Sequence, residues 1–206
     1  MNHRYIIFTG APGSKWSSVV KNIYWSPDLD HSDYSAERLY YHDADSPGTK
    51  QLMHLGAYWD PGMEFEPTEW DLPFTLKNLN LKRIIKSHVF AYELDYLKDL
   101  HPLVMVHRND VECIEWWKKC GHFKITYPNY TPYYKDLDNM WHEIQKQNRA
   151  IMQFVKTNLA KIHYPENNID LCEMLNLEFP VVQMYNQDDF TYHNYKEKDI
   201  KVYVYK

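Results

Sequence analysis

The stretch YIIFTGAPGSKWSSVVKNIYW, residues Tyr5 to Trp25, restricts the fold more than any other part of the chain. Tyr5 to Thr9 is a short β-branched and aromatic run, and the loop from Gly10 to Gly13 stops it. From Lys15 or Trp16 to about Trp25 the pattern turns helical, with Val19, Val20 and Ile23 on one side. Ser14, Ser17 and Ser18 are expected to supply capping oxygens and donors at the start of that helix. Strand, glycine-containing loop and helix therefore follow in the order that an anion site requires.

The rest of the chain repeats the alternation. Leu81 to Lys86 (LKRIIK) is a second strand candidate ending in Lys86-Ser87-His88, Tyr92 to Leu100 a short helix, and Leu103 to Val106 (LVMV) a third strand. Asp110 to Cys120 reads as a helix that Gly121 ends. Leu137, Met140, Trp141, Ile144, Ile151, Phe154, Val155 and Leu159 recur at helical spacing, which makes Asp136 to Leu159 the longest helix; Ile169 to Leu175 adds a short one. The tail DIKVYVY alternates from Asp199 to Tyr205 and reads as an edge strand guarded by Lys198 and Lys201. Residues 28–75, with stretches such as DLDHSDYS, YYHDADSPG and YWDPGMEFEP, read as an irregular insertion, with a short helix expected around Thr49 to Leu55.

Strands alternating with helices imply a parallel sheet covered by helices, and ligands of such sheets bind at the carboxyl ends of the strands. That rule gathers Gly10 to Ser18, Lys86 to His88, and His107 to Asp110. Helix N-termini attract phosphate or sulfate, and Gly13, Lys15, Ser17 and Ser18 add close backbone approach, charge and hydroxyls. The spacing is not that of an ATP-binding loop, G-x-x-x-x-G-K-[ST]. Counted from Gly10, its second glycine falls on Lys15 and its lysine on Trp16. The two later strands end in basic residues rather than in the acid that holds magnesium in such enzymes, although Asp110 could still serve.

Composition narrows the function. A chain of 206 residues with 44% hydrophobic residues can bury one good core, which favours a single domain. A net charge of −5 argues against a general nucleic-acid binder. Cys113, Cys120 and Cys172 form no CxxC pair, which suits a reducing, cytoplasmic interior. No signal peptide is evident, and no apolar run approaches the ~20 residues that span a membrane. The 18 tyrosines and 7 tryptophans fit either stacking surfaces or core filling.

Gly10-Ala-Pro-Gly-Ser-Lys-Trp-Ser-Ser18 resembles the phosphosulfate loop, often G-x-P-[KR]-S-G-T-T, of the sulfotransferases that use 3′-phosphoadenosine 5′-phosphosulfate (PAPS). Lys86-Ser87-His88 resembles their K-[ST]-H segment, and Arg108-Asn-Asp110 their strand-ending R-[ND] motif. The resemblance implies a three-layer P-loop NTPase-like α/β fold with a central parallel sheet. It also implies roles. Pro12, Gly13, Ser14, Lys15, Trp16, Ser17 and Ser18 would hold the 5′-phosphosulfate and Arg108 the 3′-phosphate. His88 would be the general base, with Lys86 and Lys15 neutralising the sulfuryl oxygens. PAPS is then the donor and 3′-phosphoadenosine 5′-phosphate (PAP) the product, with no metal, no nucleic acid and no membrane involved. The acceptor would be a small molecule, sugar or peptide. Three departures stand out. Gly13 replaces the lysine or arginine that follows the family's proline, Trp116 replaces a serine ligand eight residues after the arginine, and no glycine-rich segment is recognisable between Tyr185 and Lys206.

Each motif also has a structural reading. The loop alone fits a turn and helix cap, His88 a buried structural histidine, and Arg108 an ion pair with Glu112. One of Trp116 and Trp117 is expected in the core and the other beside the pocket. Asp30, His31, Asp33, His42, Asp43 and Asp45 match no metal motif, so a solvated loop is favoured over a metal site. Tyr58 to Trp70 fits an acceptor pocket or core packing. The expected activity is sulfuryl transfer; a magnesium-dependent kinase and a non-catalytic nucleotide or anion binder are the alternatives.

Overall fold

The first strand, β1 (Tyr5–Gly10), is buried along its whole length, as expected of an apolar run with a strand on either side. It runs parallel to β4 (Arg83–Lys86) on one side and to β5 (Leu103–Arg108) on the other. The structure, a computed structural model, describes residues 5–31, 39–43, 50–55, 80–119, 136–181 and 199–206. Within these the chain is an α/β protein built on a five-stranded mixed sheet of order β4-β1-β5-β7-β6, in which β6 is Ile162–His163 and β7 is Ile200–Tyr205.

The sheet departs from the all-parallel expectation at its far side. β7 (Ile200–Tyr205) runs antiparallel to β5 over all six residues, with Arg108 opposite Ile200 and Leu103 opposite Tyr205. It is not an edge strand, because the two-residue β6 (Ile162–His163) pairs with it beyond. Every residue of β7 except Lys201 is buried, so the alternation in DIKVYVY does not mark a solvated face. Tyr203 and Tyr205 bury their rings and set them edge-on against Tyr164 and Phe154.

The helices follow the apolar periodicity closely. In α1 (Trp16–Ile23), Trp16, Val19, Val20 and Ile23 are all buried. Of the predicted Tyr92 to Leu100 helix only the single-turn α2 (Leu94–Leu97) forms, and a 3₁₀ turn (Val89–Tyr92) precedes it. The helix α3 (Asp110–Lys119) starts as expected, while Gly121 lies outside the described residues. The longest helix among the described residues, α4 (Leu137–Thr157), is capped by Asp136, whose carboxylate accepts from the Asn139 amide at 2.8 Å. Asn167 caps α5 (Asn168–Leu175) in the same way. At the other end of α5, Lys82 Nζ donates to the carbonyls of Leu175 and Asn176 at 2.7 and 3.0 Å, complementing the negative end of the helix.

One element of the insertion is corrected. Lys50–Leu55 is not helical but a strand, β3, paired antiparallel with β2 (Leu39–Asp43). A strand in that place has its backbone bonds made by its neighbour, whereas a short isolated helix is marginal in water. At the start of the insertion Asp30 is buried rather than solvated and His31 Nε2 lies 2.5 Å from the Tyr24 carbonyl, while residues 32–38, 44–49 and 56–75, which include Asp33, Asp45 and Tyr58 to Trp70, lie outside the described residues. Among the described residues no helix is long and apolar enough to cross a membrane.

Candidate functional site

Parallel pairing of β1 with β4 and β5 brings the carboxyl ends of three adjacent strands together. Their ends and the segments that follow carry Gly10 to Ser18, Lys86 to His88, and His107 to Asp110, the three blocks expected to meet. β1 is central, so its loop lies between the other two.

The loop is shaped by two residues with positive φ. Gly13 has φ +80°, and a Cβ there would stand 2.0 Å from the carbonyl oxygen of Cys113 in α3. Only glycine combines that backbone conformation with that approach. Lys15 has φ 63° and takes the N-cap position of α1 although it is not glycine. The N-cap position itself is therefore not held by a serine: Lys15 takes it and its side chain makes no cap hydrogen bond, while the side chains of Ser17 and Ser18 lie outside what the structure describes. Ser14 turns inward instead, its amide donating to the Ala11 carbonyl at 3.0 Å. Its Oγ is fully buried and meets no hydrogen-bond partner among the described residues. Pro12 is buried beside it, and Ser17 and Ser18 lie in the first turn of α1.

His88 is pinned to the central strand. Its Nδ1 lies 2.5 Å from the Gly10 carbonyl, its own carbonyl accepts from Thr9 Oγ1 at 3.3 Å, and the Ser87 amide donates to Phe8 at 3.1 Å. A carbonyl can only accept, so Nδ1 carries the proton and the lone pair of the neutral ring belongs to Nε2. The ring is 4% exposed and meets the buried Trp16 indole edge-on at 4.8 Å. At the end of β4, Lys86, 1% exposed, places Nζ 4.3 Å from the centroid of the same Trp16 ring. An ammonium so deeply buried needs compensation, and the indole face supplies part of it.

On the β5 side Arg108 is held at three points. Nε donates to Asp199 at 2.5 Å, Nη1 donates to the Gly13 carbonyl at 3.3 Å, and Nη2 stands 3.6 Å from Glu112. The expected pair with Glu112 is present but is the longest of these contacts. Burial alone would raise the Asp199 pKa, but the hydrogen bond and charge of Arg108 outweigh it and hold the carboxyl below its ordinary range. Lys15 Nζ lies 4.1 Å over the Trp116 ring, and Arg108 stacks more distantly on it at 5.8 Å. Trp117, by contrast, is buried in a small cluster with Ile114, Met140 and Ile144, as the two-sided placement of the pair requires. Lys15, Arg108, Glu112, Glu115, Trp116 and Lys118 line an open groove of about 650 Å³.

Two residues of the site carried no motif. Asp199 was legible only as the start of a strand; antiparallel pairing is what carries it to the carboxyl end of β5. Asn148 reaches over from α4, and its Nδ2 donates to the Arg108 carbonyl at 2.8 Å and to Asp110 at 2.6 Å. It thereby fixes the β5–α3 turn. Asp110, considered as a metal acid, is engaged by that amide. Among the described residues no group of three His, Cys, Asp or Glu side chains could hold a metal ion.

Comparison with protein-family models, with curated proteins and with solved structures finds no match. Fold and site together define an α/β protein with basic residues gathered at the carboxyl ends of adjacent parallel strands.

Proposed function

We propose that the chain is a PAPS-dependent sulfotransferase of the three-layer P-loop type, acting on a hydroxyl or amine of a small-molecule, sugar or peptide acceptor. One observation carries this reading. Lys15, Lys86, His88 and Arg108 converge on the loop that enters α1, where Lys86 and His88 meet the Trp16 ring, Arg108 meets the Gly13 carbonyl, Lys15 is the N-cap residue, and the buried Ser14 hydroxyl turns inward.

In this reading the 5′-phosphosulfate rests on the backbone of Gly13 to Ser18 and Arg108 takes the 3′-phosphate. The acceptor oxygen attacks sulfur in line, the bond from sulfur to the 5′-phosphate oxygen breaks, and PAP leaves with that electron pair. His88 Nε2 takes the acceptor proton, a role suited to the tautomer that Gly10 selects. Lys86 and Lys15 offset charge on the sulfuryl oxygens. Positioning and fixed charge account for the catalysis, so the reaction needs no metal.

Calorimetric titration of wild type and Arg108→Ala with PAP, and with ATP plus Mg²⁺, tests the proposal. Metal-independent PAP binding that weakens at least about tenfold in the variant is expected, the scale of a lost charge-assisted contact. Binding of ATP with Mg²⁺ alone would favour the kinase. Binding of neither would leave the loop as a helix cap.

A further inference from the structure

Arg108 presents its guanidinium at the β5 end of the site, yet the anionic partner it holds there comes from its own chain. Asp199 immediately precedes β7, and the pairing of Arg108 with Ile200 in that strand brings its carboxylate to Nε at 2.5 Å. The strand register brings the two side chains within reach of each other. Glu112, 53% exposed and 3.6 Å away, is the weaker partner, and Lys15 also acts on the Asp199 charge. The Asp199 side chain is one-third exposed at 33%, so it has solvent into which it can turn.

We infer that Asp199 determines how strongly the donor site distinguishes a 3′-phosphate from a 3′-hydroxyl, by competing with the phosphate for Arg108. The inference rests on the donor reading above. A phosphate arriving at Arg108 meets a like charge already seated and must displace it, which costs binding energy. A ribose hydroxyl meets no such repulsion, because a carboxylate accepts a hydrogen bond from it. The preference of the wild-type protein for PAP over adenosine 5′-phosphate is therefore smaller than Arg108 alone would give, and removing the Asp199 charge widens it.

The test is titration of wild type, Asp199→Asn and the double variant Arg108→Ala/Asp199→Asn with PAP and with adenosine 5′-phosphate. Asp199→Ser makes the same comparison if a melting curve shows that Asn disturbs the start of β7. In Asp199→Asn the preference for PAP should rise by at least about tenfold, the scale of relieving a close like-charge contact. The double variant should lose that rise. Nucleotide binding with an unchanged preference overturns the inference and leaves the donor reading standing. Failure of every protein to bind either nucleotide overturns both.

Discussion

Gly13→Ala puts the loop geometry under direct test. The added methyl would sit 2.0 Å from the Cys113 carbonyl oxygen and 2.7 Å from its carbon, with φ at +80°. Both neighbours belong to the backbone of α3, so no side-chain rotation relieves the clash. Two costs combine. An L-residue in a left-handed conformation costs ~1–2 kcal/mol, and forcing a packed segment apart costs a further ~1–3 kcal/mol. The total of ~2–5 kcal/mol is a large share of the ~5–15 kcal/mol that holds a domain together. For a chain of this size it lowers Tm by roughly 5–15 °C, readable by scanning calorimetry. PAP affinity should fall as well, because the Gly13 carbonyl accepts from Arg108. The neighbouring Ser14→Ala provides the contrast. It removes a buried hydroxyl without a partner among the described residues, so Tm should hold or rise while anion affinity falls. A Gly13→Ala protein melting within ~2 °C of wild type, well short of the fall expected for a strained core position, would refute the reasoning.

Other predictions concern titration and reactivity. Burial lowers the pKa of both His31 and His107 below 6.5, against the Tyr24 carbonyl in the first case and the Asp110 charge in the second. The unfolded chain then binds more protons as pH falls through 6.5, so stability present above that pH is lost below it. Melting curves between neutral and mildly acid pH should show Tm falling, with a shallower slope in His107→Gln; an identical slope would count against the assignment. Burial pushes the Cys113 and Cys172 thiols up to about 12, so neither should be modified by a disulfide reagent at neutral pH until the chain unfolds. Peptide mapping by mass spectrometry reads this directly, and prompt labelling of native Cys113 would contradict its burial. His88→Asn should leave PAP binding within about threefold while reducing turnover at least about a hundredfold, the usual scale of general-base loss.

How much of this was legible in the sequence depended on whether a feature is local. The apolar spacing of Val19, Val20 and Ile23 marks α1 because every one of them is buried in the core with the sheet. The meeting of the Gly10, Lys86 and Arg108 loops followed from one rule about parallel strands, and β1, β4 and β5 obey it. The direction of β7 was not legible, since an alternating run reads the same whichever way its neighbour points. With the direction went Asp199, which a parallel β7 would have carried to the opposite end of the sheet. Asn148 is polar on an apolar stripe, which reads as an interruption until its bonds to Arg108 and Asp110 are seen. The left-handed Lys15 was hidden because serines on both sides offered a more familiar cap.

The central place of β1 has an evolutionary corollary. Strands in a sheet stand ~4.8 Å apart, so the ends of β4 and β5 are separated by roughly 10 Å. Substitutions at that distance with no shared partner tend to act independently. A descendant of this chain could therefore remodel the surroundings of Lys86 and His88 while leaving the Arg108 side intact, or the reverse. Compensating changes would be demanded chiefly in the glycine loop between them, which touches both flanks through Gly10 and Gly13. Divergence in such a lineage should be slowest at those two glycines.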